Sequence, residues 1–185
     1  MAVFPADTLY GLSCDPSNAA AIERIQALKH RDAGKPSAVM FFSPLAMREL
    51  LTTLGARTRE ALGALLPGPV TLVVHNPQHR YPLACAQDPE RLGVRLIDGP
   101  LAGATCPVFQ TSANRSGEQA PRRFEEIAPA IAAAADLAID AGELGGEPST
   151  VVDLTALDEE GTWRVLREGA ISREELSRRL GSRGF

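Results

Sequence analysis

The sequence predicts an α/β fold in a single domain, residues 1–185, with an open mixed sheet flanked by helices. Three observations lead there. Strand-like runs and helical patterns alternate along the chain, but too irregularly for a repeating strand-helix-strand unit. Its 185 residues, 44% hydrophobic and 23% charged, suit one domain with a sizeable core. Several strand-like runs also empty into small hydroxyl, amide and glycine residues. In open α/β sheets, ligands sit outside such strand ends. No internal repeat, low-complexity tract or linker divides the chain.

Taken in order, Val3-Phe4 reads as the end of a strand, and Pro5 begins a turn that runs from Ala6 to Leu12. Because the chain starts on strand-like residues, we expect a preceding segment to be missing. Ser17 or Asn18 caps a helix. Its core stripe is Ala19, Ile22, Ile25 and Leu28 at helical spacing, and it ends in Lys29-His30-Arg31. Ser37 to Phe42 reads as a buried strand. Ser43, followed by Pro44 at a first helical position, opens a helix to about Leu54. A second helix, from Arg57 to Leu66, stops at Pro67-Gly68-Pro69, because proline cannot continue it. Val70 to Val74 is a strand, Asn76 to Glu90 a polar loop, and Leu92 to Ile97 a strand with Arg95 in its middle. A charge inside a strand is rarely buried unless paired or used, so Arg95 faces either solvent or a ligand.

Pro107 to Gln110 is a short apolar strand feeding Thr111-Ser112-Ala113-Asn114-Arg115-Ser116-Gly117, a loop with little bulk and many hydrogen-bonding groups. Phe124 to Ala135 reads as an alanine-rich helix and Leu137 to Asp140 as a strand. The glycine-rich turn Gly142 to Pro148 enters a β-branched strand, Ser149 to Leu154, whose partner is Trp163 to Arg167. Ser172 and Glu175 form a capping box that opens a last helix ending near Leu180.

Composition narrows the function. No apolar run reaches the length of a membrane span, and no charged-then-apolar leader signals secretion. Cys14, Cys85 and Cys106 are odd in number and widely spaced, as expected of reduced thiols in a cytoplasmic protein. His75, His79 and Cys85 could suggest zinc, but no Cys-x-x-Cys pair supports it, and no protein-held metal is expected. A net charge of −4 gives no global attraction to nucleic acid, so any anion site must be a local basic cluster. Nucleophile-elbow, zinc-helix, P-loop and dinucleotide fingerprints are all absent. What remains at predicted strand ends and turns is Thr8, Lys29, Arg31, Lys35, Arg95, Ser112, Asn114, Ser149 and Arg167. These cations and small polar groups suit a polyanion such as a nucleoside triphosphate. Phosphoryl chemistry needs positioning and charge stabilisation more than a protein nucleophile. The plainer reading of Lys29 and Arg31 is that cations in a last helical turn offset the helix dipole.

Seven stretches, in this order, resemble the motifs of the YrdC/Sua5 family, the threonylcarbamoyl-AMP synthases. They are Phe4 to Leu12, Lys29-x-Arg31 with Lys35-Pro36, Pro67 to Thr71, Gly93-Val94-Arg95, Thr111 to Gly117, Gly146 to Asp153, and Leu166 to Ile171. The resemblance implies a twisted open α/β sheet with a concave basic pocket. It implies that L-threonine, bicarbonate and ATP, the ATP with Mg2+, become threonylcarbamoyl-AMP and pyrophosphate. The product would supply the machinery that makes N6-threonylcarbamoyladenosine in tRNA, and tRNA itself would bind weakly if at all. By position, Thr8, Arg95 and Ser149 are implied on the threonine side. Arg31, Lys35, Asn114 and Arg167 are implied on the nucleotide side, with Lys29 and Ser112 between. Lys29, Arg31, Ser112 and Asn114 would serve the chemical step, and Arg122 lies near a family ATP contact. Asp32 stands where proline often follows the motif arginine. The chain resembles the short bacterial form, with no domain after the last motif, rather than the longer Sua5 form. Two rivals are the carbamoyl-phosphate-dependent module of a hydrogenase-maturation carbamoyltransferase and a double-stranded RNA or tRNA binder. The acidic net charge and few aromatics speak against the second.

Overall fold

A computed structural model describes residues 1–32, 34–99 and 101–181. Its strands are β1 (Ala2–Pro5), β2 (Tyr10–Cys14), β3 (Ala38–Phe41), β4 (Val70–His75), β5 (Arg91–Leu96), β6 (Val108–Ser112), β7 (Leu137–Ala138), β8 (Thr150–Asp153) and β9 (Arg164–Arg167). Its helices are α1 (Ala19–Leu28), α2 (Arg48–Leu51), α3 (Ala56–Leu65), α4 (Pro82–Cys85), α5 (Pro129–Ala134), α6 (Leu157–Glu160) and α7 (Arg173–Leu180). All the strands join one sheet in the order β7-β1-β2-β6-β3-β5-β4-β8-β9. The sheet is mixed: β1/β7, β3/β5 and β4/β8 run parallel and the other neighbours antiparallel.

Strict alternation gives the sheet two characters, because successive side chains of a strand point to opposite faces. Val70, Leu72 and Val74 of β4, Leu92, Val94 and Leu96 of β5, and Val39 and Phe41 of β3 all enter one apolar core. There they meet Ile22 and Ile25 of α1, Ala61, Leu62 and Leu65 of α3, and Leu176 of α7. Burying a side chain of this size contributes about 1.5–3 kcal/mol, so this face holds the fold together. On the other face the same strands present Ala38, Thr71, Val73, Gly93 and Arg95 to a cavity. A small cluster of Phe4, Ala6, Met40, Phe42 and Ile97 packs apart from the main core.

Several expected elements form for the expected reasons. Asn18 caps α1 by accepting from Ala21 N at 3.0 Å, and Ser172 caps α7 by accepting from Glu175 N at 3.3 Å. The strand expected at Trp163 to Arg167 does pair with β8, antiparallel.

Other expectations are corrected. The turn read over Ala6 to Leu12 is shorter, and Tyr10–Cys14 is a strand buried at every position. Covered on both faces, it shows no alternation, and Gly11 disguised it as a turn. The glycine is needed for packing: a Cβ there would come within 2.9 Å of the Gln110 side chain and 3.2 Å of Thr111 O. Of the helix expected from Ser43 to Leu54, only Arg48–Leu51 is α-helical. Ser43 Oγ does accept from Ala46 N at 3.2 Å, but Thr52 and Thr53 bond back to Glu49 O and Leu50 O, each at 2.7 Å, competing with helix continuation. The helix expected over Phe124 to Ala135 is a 3-10 turn, Phe124–Glu126, followed by α5. Pro129 has no N–H to give and pushes Ala128 out of helical backbone. The Asn76–Glu90 loop contains α4, and α6 was not foreseen. The strand expected to reach Asp140 stops at Ala138. There the chain turns onto Tyr10, whose hydroxyl bonds Gly142 O at 2.8 Å and accepts from Ala141 N at 2.9 Å.

Candidate functional site

A cavity of about 360 Å³ opens on the face of the sheet away from the main core. Its floor is Ala38, Gly93, Thr71, Val73 and Val151, small enough that the space reaches close to the strands' backbone. Thr8 and Leu9 border it, as do Pro36 and Ser37, Thr111 and Ser112, and Ser149 and Arg167.

Lys29 and Arg31 follow α1, and they diverge. Lys29 is buried, 1% exposed, and does not line the cavity. Its Nζ donates to Ser112 O and, at 2.5 Å, to Asn114 O, while Lys29 O accepts from Ser116 N at 2.7 Å. Lys29 thereby ties the Thr111–Gly117 loop to the end of α1. Burial, with the nearby Arg31 charge adding to it, lowers its amine from 10.5 to about 8. Arg31 does line the cavity. It donates from Nη1 to Thr111 Oγ1 at 3.2 Å and from Nη2 to Pro36 O at 2.7 Å. Its Nε is buried without a partner, as is Asn114 Oδ1. Asn114 Nδ2 donates to Arg115 O and Glu118 O, at 2.8 and 2.7 Å.

Across the floor, Ser149 shares a hydrogen bond with Thr71, Oγ to Oγ1 at 3.0 Å. Arg167 Nη2 donates to Ser149 O at 2.6 Å and to its Oγ at 3.1 Å. Arg95 projects from β5, its side chain 5% exposed, and its Nη2 pairs with Asp7 Oδ1. Burial lowers the guanidinium's pKa and raises the Asp7 carboxyl's, each outweighing the partner's opposite effect. Arg95 Nε is another buried nitrogen without a partner. Such orphans are uncommon in native interiors and call for an explanation, a ligand being one.

The predicted residues therefore divide. Thr8, Arg31, Arg95, Ser112, Ser149 and Arg167 meet around one cavity. Lys29 lies beneath its rim, and Asn114 is fixed in the adjoining loop. Lys35 is exposed on the α1–β3 connection, beside lining residues Pro36 and Ser37. Arg122 is turned to Glu143, at 2.9 Å. Sequence reasoning missed Asp7 and Thr71, both inside quoted motifs, because their partners lie far along the chain. It also missed a buried acid on the opposite strand: Asp153 binds Arg91 at 2.8 Å and Arg164 at 2.9 Å.

The charge balance is informative. Arg91 and Arg95 border the cavity with acid partners. Arg31 and Arg167 border it with neutral oxygens only, among the described residues. His75 and His79 both face Glu90, at 3.3 and 2.5 Å, and Cys85 bonds Arg80 O instead. No group of three His, Cys, Asp or Glu among the described residues could hold a metal ion. No helix among them is long and apolar enough to cross a membrane.

Comparison with known proteins follows the same lines. The family model for Sua5, YciO and YrdC, described as "Telomere recombination", matches residues 1–169. A threonylcarbamoyl-AMP synthase of Chromohalobacter salexigens is 34% identical over 158 residues, which cover 82% of this chain and 84% of that protein. The crystal structure of P. abyssi Sua5 complexed with L-threonine superposes with a TM-score of 0.82 at 27% identity, over 100% of this chain. The chain spans 55% of that longer protein. E. coli YciO gives a TM-score of 0.78 at 26% identity, over 95% of this chain and 85% of that one.

Proposed function

The chain belongs to the Sua5/YciO/YrdC family, and on that premise we propose that it is a threonylcarbamoyl-AMP synthase, a nucleotidyltransferase acting on L-threonine, bicarbonate and ATP. One observation carries the reading: Arg31 and Arg167 face a single cavity and, among the described residues, bond neutral oxygens only. A polyphosphate supplies the missing charge, and guanidinium forks are well shaped for its oxygens. The name of the Chromohalobacter relative and the threonine held by P. abyssi Sua5 support the amino-acid half.

The threonine amine and bicarbonate form a carbamate, whose oxygen attacks the α-phosphorus of ATP as pyrophosphate departs. The carbamate is itself the nucleophile, so no protein histidine or serine is needed to generate one. Arg31, Ser112, Asn114 and Arg167 would orient the nucleotide and stabilise charge on the transferring and leaving oxygens. Lys35, exposed on its loop, is within the same segment and would meet the outer phosphates. Thr8, Arg95 and Ser149 would hold threonine. Lys29, enclosed under backbone carbonyls, acts by fixing the loop that bears Ser112 and Asn114. With no three-acid or histidine cluster among the described residues, Mg2+ would enter on the ATP phosphates as part of that substrate. We propose further that the protein works in the cytoplasm and passes its product to the machinery that modifies tRNA, with weak hold on tRNA itself.

The test is pyrophosphate release from ATP, with threonine and bicarbonate omitted in turn. Release should require both. Release that ignores threonine but responds to carbamoyl phosphate would transfer the assignment to the hydrogenase-maturation type of chemistry. Tight RNA binding without turnover would remove the enzyme assignment.

A further inference from the structure

We propose that Arg91, aimed by Asp153, is a further anion contact at one end of the cavity, where it holds the β- and γ-phosphates of ATP and then the departing pyrophosphate. The proposal rests on the nucleotide reading and adds a residue that lies outside all seven motif stretches.

Register places Arg91 away from the end assigned to threonine. Strand β5 turns Arg91, Gly93 and Arg95 to the cavity, and four residues of strand span about 13 Å. Leu72 pairs with Val94 in the antiparallel β4/β5 ladder, so Thr71 and its partner Ser149 stand level with Arg95. Ala38 pairs with Gly93 in the parallel β3/β5 ladder. Two positions earlier on each segment lie Pro36 and Arg91. Arg31 Nη2 donates to Pro36 O at 2.7 Å, and the exposed Lys35 adjoins that proline. Arg31, Lys35 and Arg91 therefore gather at one end, Arg95 and Ser149 at the other.

Asp153 gives Arg91 its direction. Its side chain is 3% exposed, and both its oxygens are taken. Oδ1 accepts from Thr155 N at 3.1 Å and Thr155 Oγ1 at 2.6 Å. Oδ2 accepts from Arg91 Nη2 at 2.8 Å and Arg164 Nε at 2.9 Å. Burial opposes its charge, but the Thr155 bonds and the arginines outweigh that and hold the carboxyl below its usual range. Such a buried acid adds little net stability, because leaving water offsets the attraction. What it fixes is orientation. One carboxylate here meets two guanidinium groups, so the group keeps a net positive charge. Arg164 is exposed and does not line the cavity, whereas Arg91 does. Arg91 commits Nη2 to Asp153, and its Nη1 has no partner among the described residues. The nearby Asp88 is exposed and 3.8 Å from Arg91 Nε, beyond a hydrogen bond, so water screens its charge.

The site suits what nucleotidyl transfer releases. As the carbamate oxygen bonds the α-phosphorus, the bond from that phosphorus to the bridging oxygen breaks. Its electron pair leaves with pyrophosphate, which gains a negative charge as it departs. No proton or further reactant is required. A guanidinium fixed beforehand at that end stabilises the charge as it develops, without having to reorganise.

Calorimetric titration of inorganic pyrophosphate and of AMP, each with Mg2+, separates this from a purely structural ion pair. Pyrophosphate reports on the outer phosphates, AMP on the rest of the nucleotide. In Arg91→Gln the affinity for pyrophosphate should fall about tenfold, and that for AMP by less than about twofold. Asp153→Asn should weaken pyrophosphate by about fivefold and spare AMP, because Arg91 keeps its charge but loses its direction. Unchanged pyrophosphate binding in Arg91→Gln, or equal weakening of both ligands, would overturn the proposal. Unchanged binding in a folded Asp153→Asn would overturn the part given to Asp153. A parent protein that binds AMP but not pyrophosphate would also overturn it, a result that needs no variant to fold. A parent that binds neither ligand, though folded, removes the nucleotide reading itself.

Discussion

Thr71 and Leu72 are neighbours on β4, yet they belong to different worlds. Leu72 is fully buried among core side chains, whereas Thr71 borders the cavity and bonds Ser149. The same alternation on β5 sets Leu92, Val94 and Leu96 against Gly93 and Arg95. The lesson is a division of labour with a period of two residues. The covered face decides whether the chain folds, and the open face what it binds. Either can be changed with little effect on the other.

The severest trial of that division is Leu72→Ala. It should cost about 2–5 kcal/mol in a denaturant titration, while the fraction still folded keeps its turnover per molecule. A cost below about 1 kcal/mol would break the comparison. Lys29 is the residue that serves both sides, and Lys29→Met should destabilise by about 1–3 kcal/mol through the carbonyls of Ser112 and Asn114 left without a donor. This effect has a pH signature. Folding lowers the Lys29 amine from 10.5 to about 8, so across that interval the unfolded chain holds more protons. Parental stability therefore gains as pH rises through it, and the gap to Lys29→Met should widen between about pH 8 and 10. A gap that narrows contradicts the assignment.

Arg31→Lys probes the open face alone. It keeps the charge but loses the planar fork, and should lower pyrophosphate formation about tenfold, roughly 1.4 kcal/mol, with melting unchanged. Activity equal to the parent's would reduce Arg31 to a helix-end charge. The mildest change is Thr71→Val, which removes one hydroxyl from Ser149 while preserving shape. The KM for threonine should rise a few-fold, about 1 kcal/mol or less, and that for ATP should stay. A shift in the ATP value instead would move Ser149 to the nucleotide side.

Much of the covered face was legible from the residues, because burial writes a period into the sequence. The stripe Ile22 and Ile25, the alternating β4 and β5, and the capping residues Asn18 and Ser172 each carry a local signal. Strand β2 escaped because it is buried on both faces and contains Gly11, so neither alternation nor propensity marked it. The proline inside the 124–135 segment was present to be read but was outweighed by alanine content. At the site, residue types and motif order brought out Arg31, Arg95, Ser149 and Arg167. Their partners were not legible. Asp7 reaches Arg95 across 88 positions, and Ser149 reaches Thr71 across 78. Nothing local distinguishes an acid that pairs at such range from one that faces water.

The position of β9 has a consequence for the protein's behaviour in solution. Among the described residues it is the outermost strand at its end of the sheet, with Leu166 47% exposed and an irregular step opposite Val151 and Val152. An unpaired margin of this kind invites another chain to add its own strand, and charged side chains with a break in register are common deterrents. Arg164 and Arg167 place charge on this strand, so the cation proposed for the nucleotide would also discourage self-association. Arg167→Ala should therefore do more than weaken ATP binding. Sedimentation at rising concentration should reveal oligomers that the parent does not form, and Arg167→Lys should suppress them without restoring full activity.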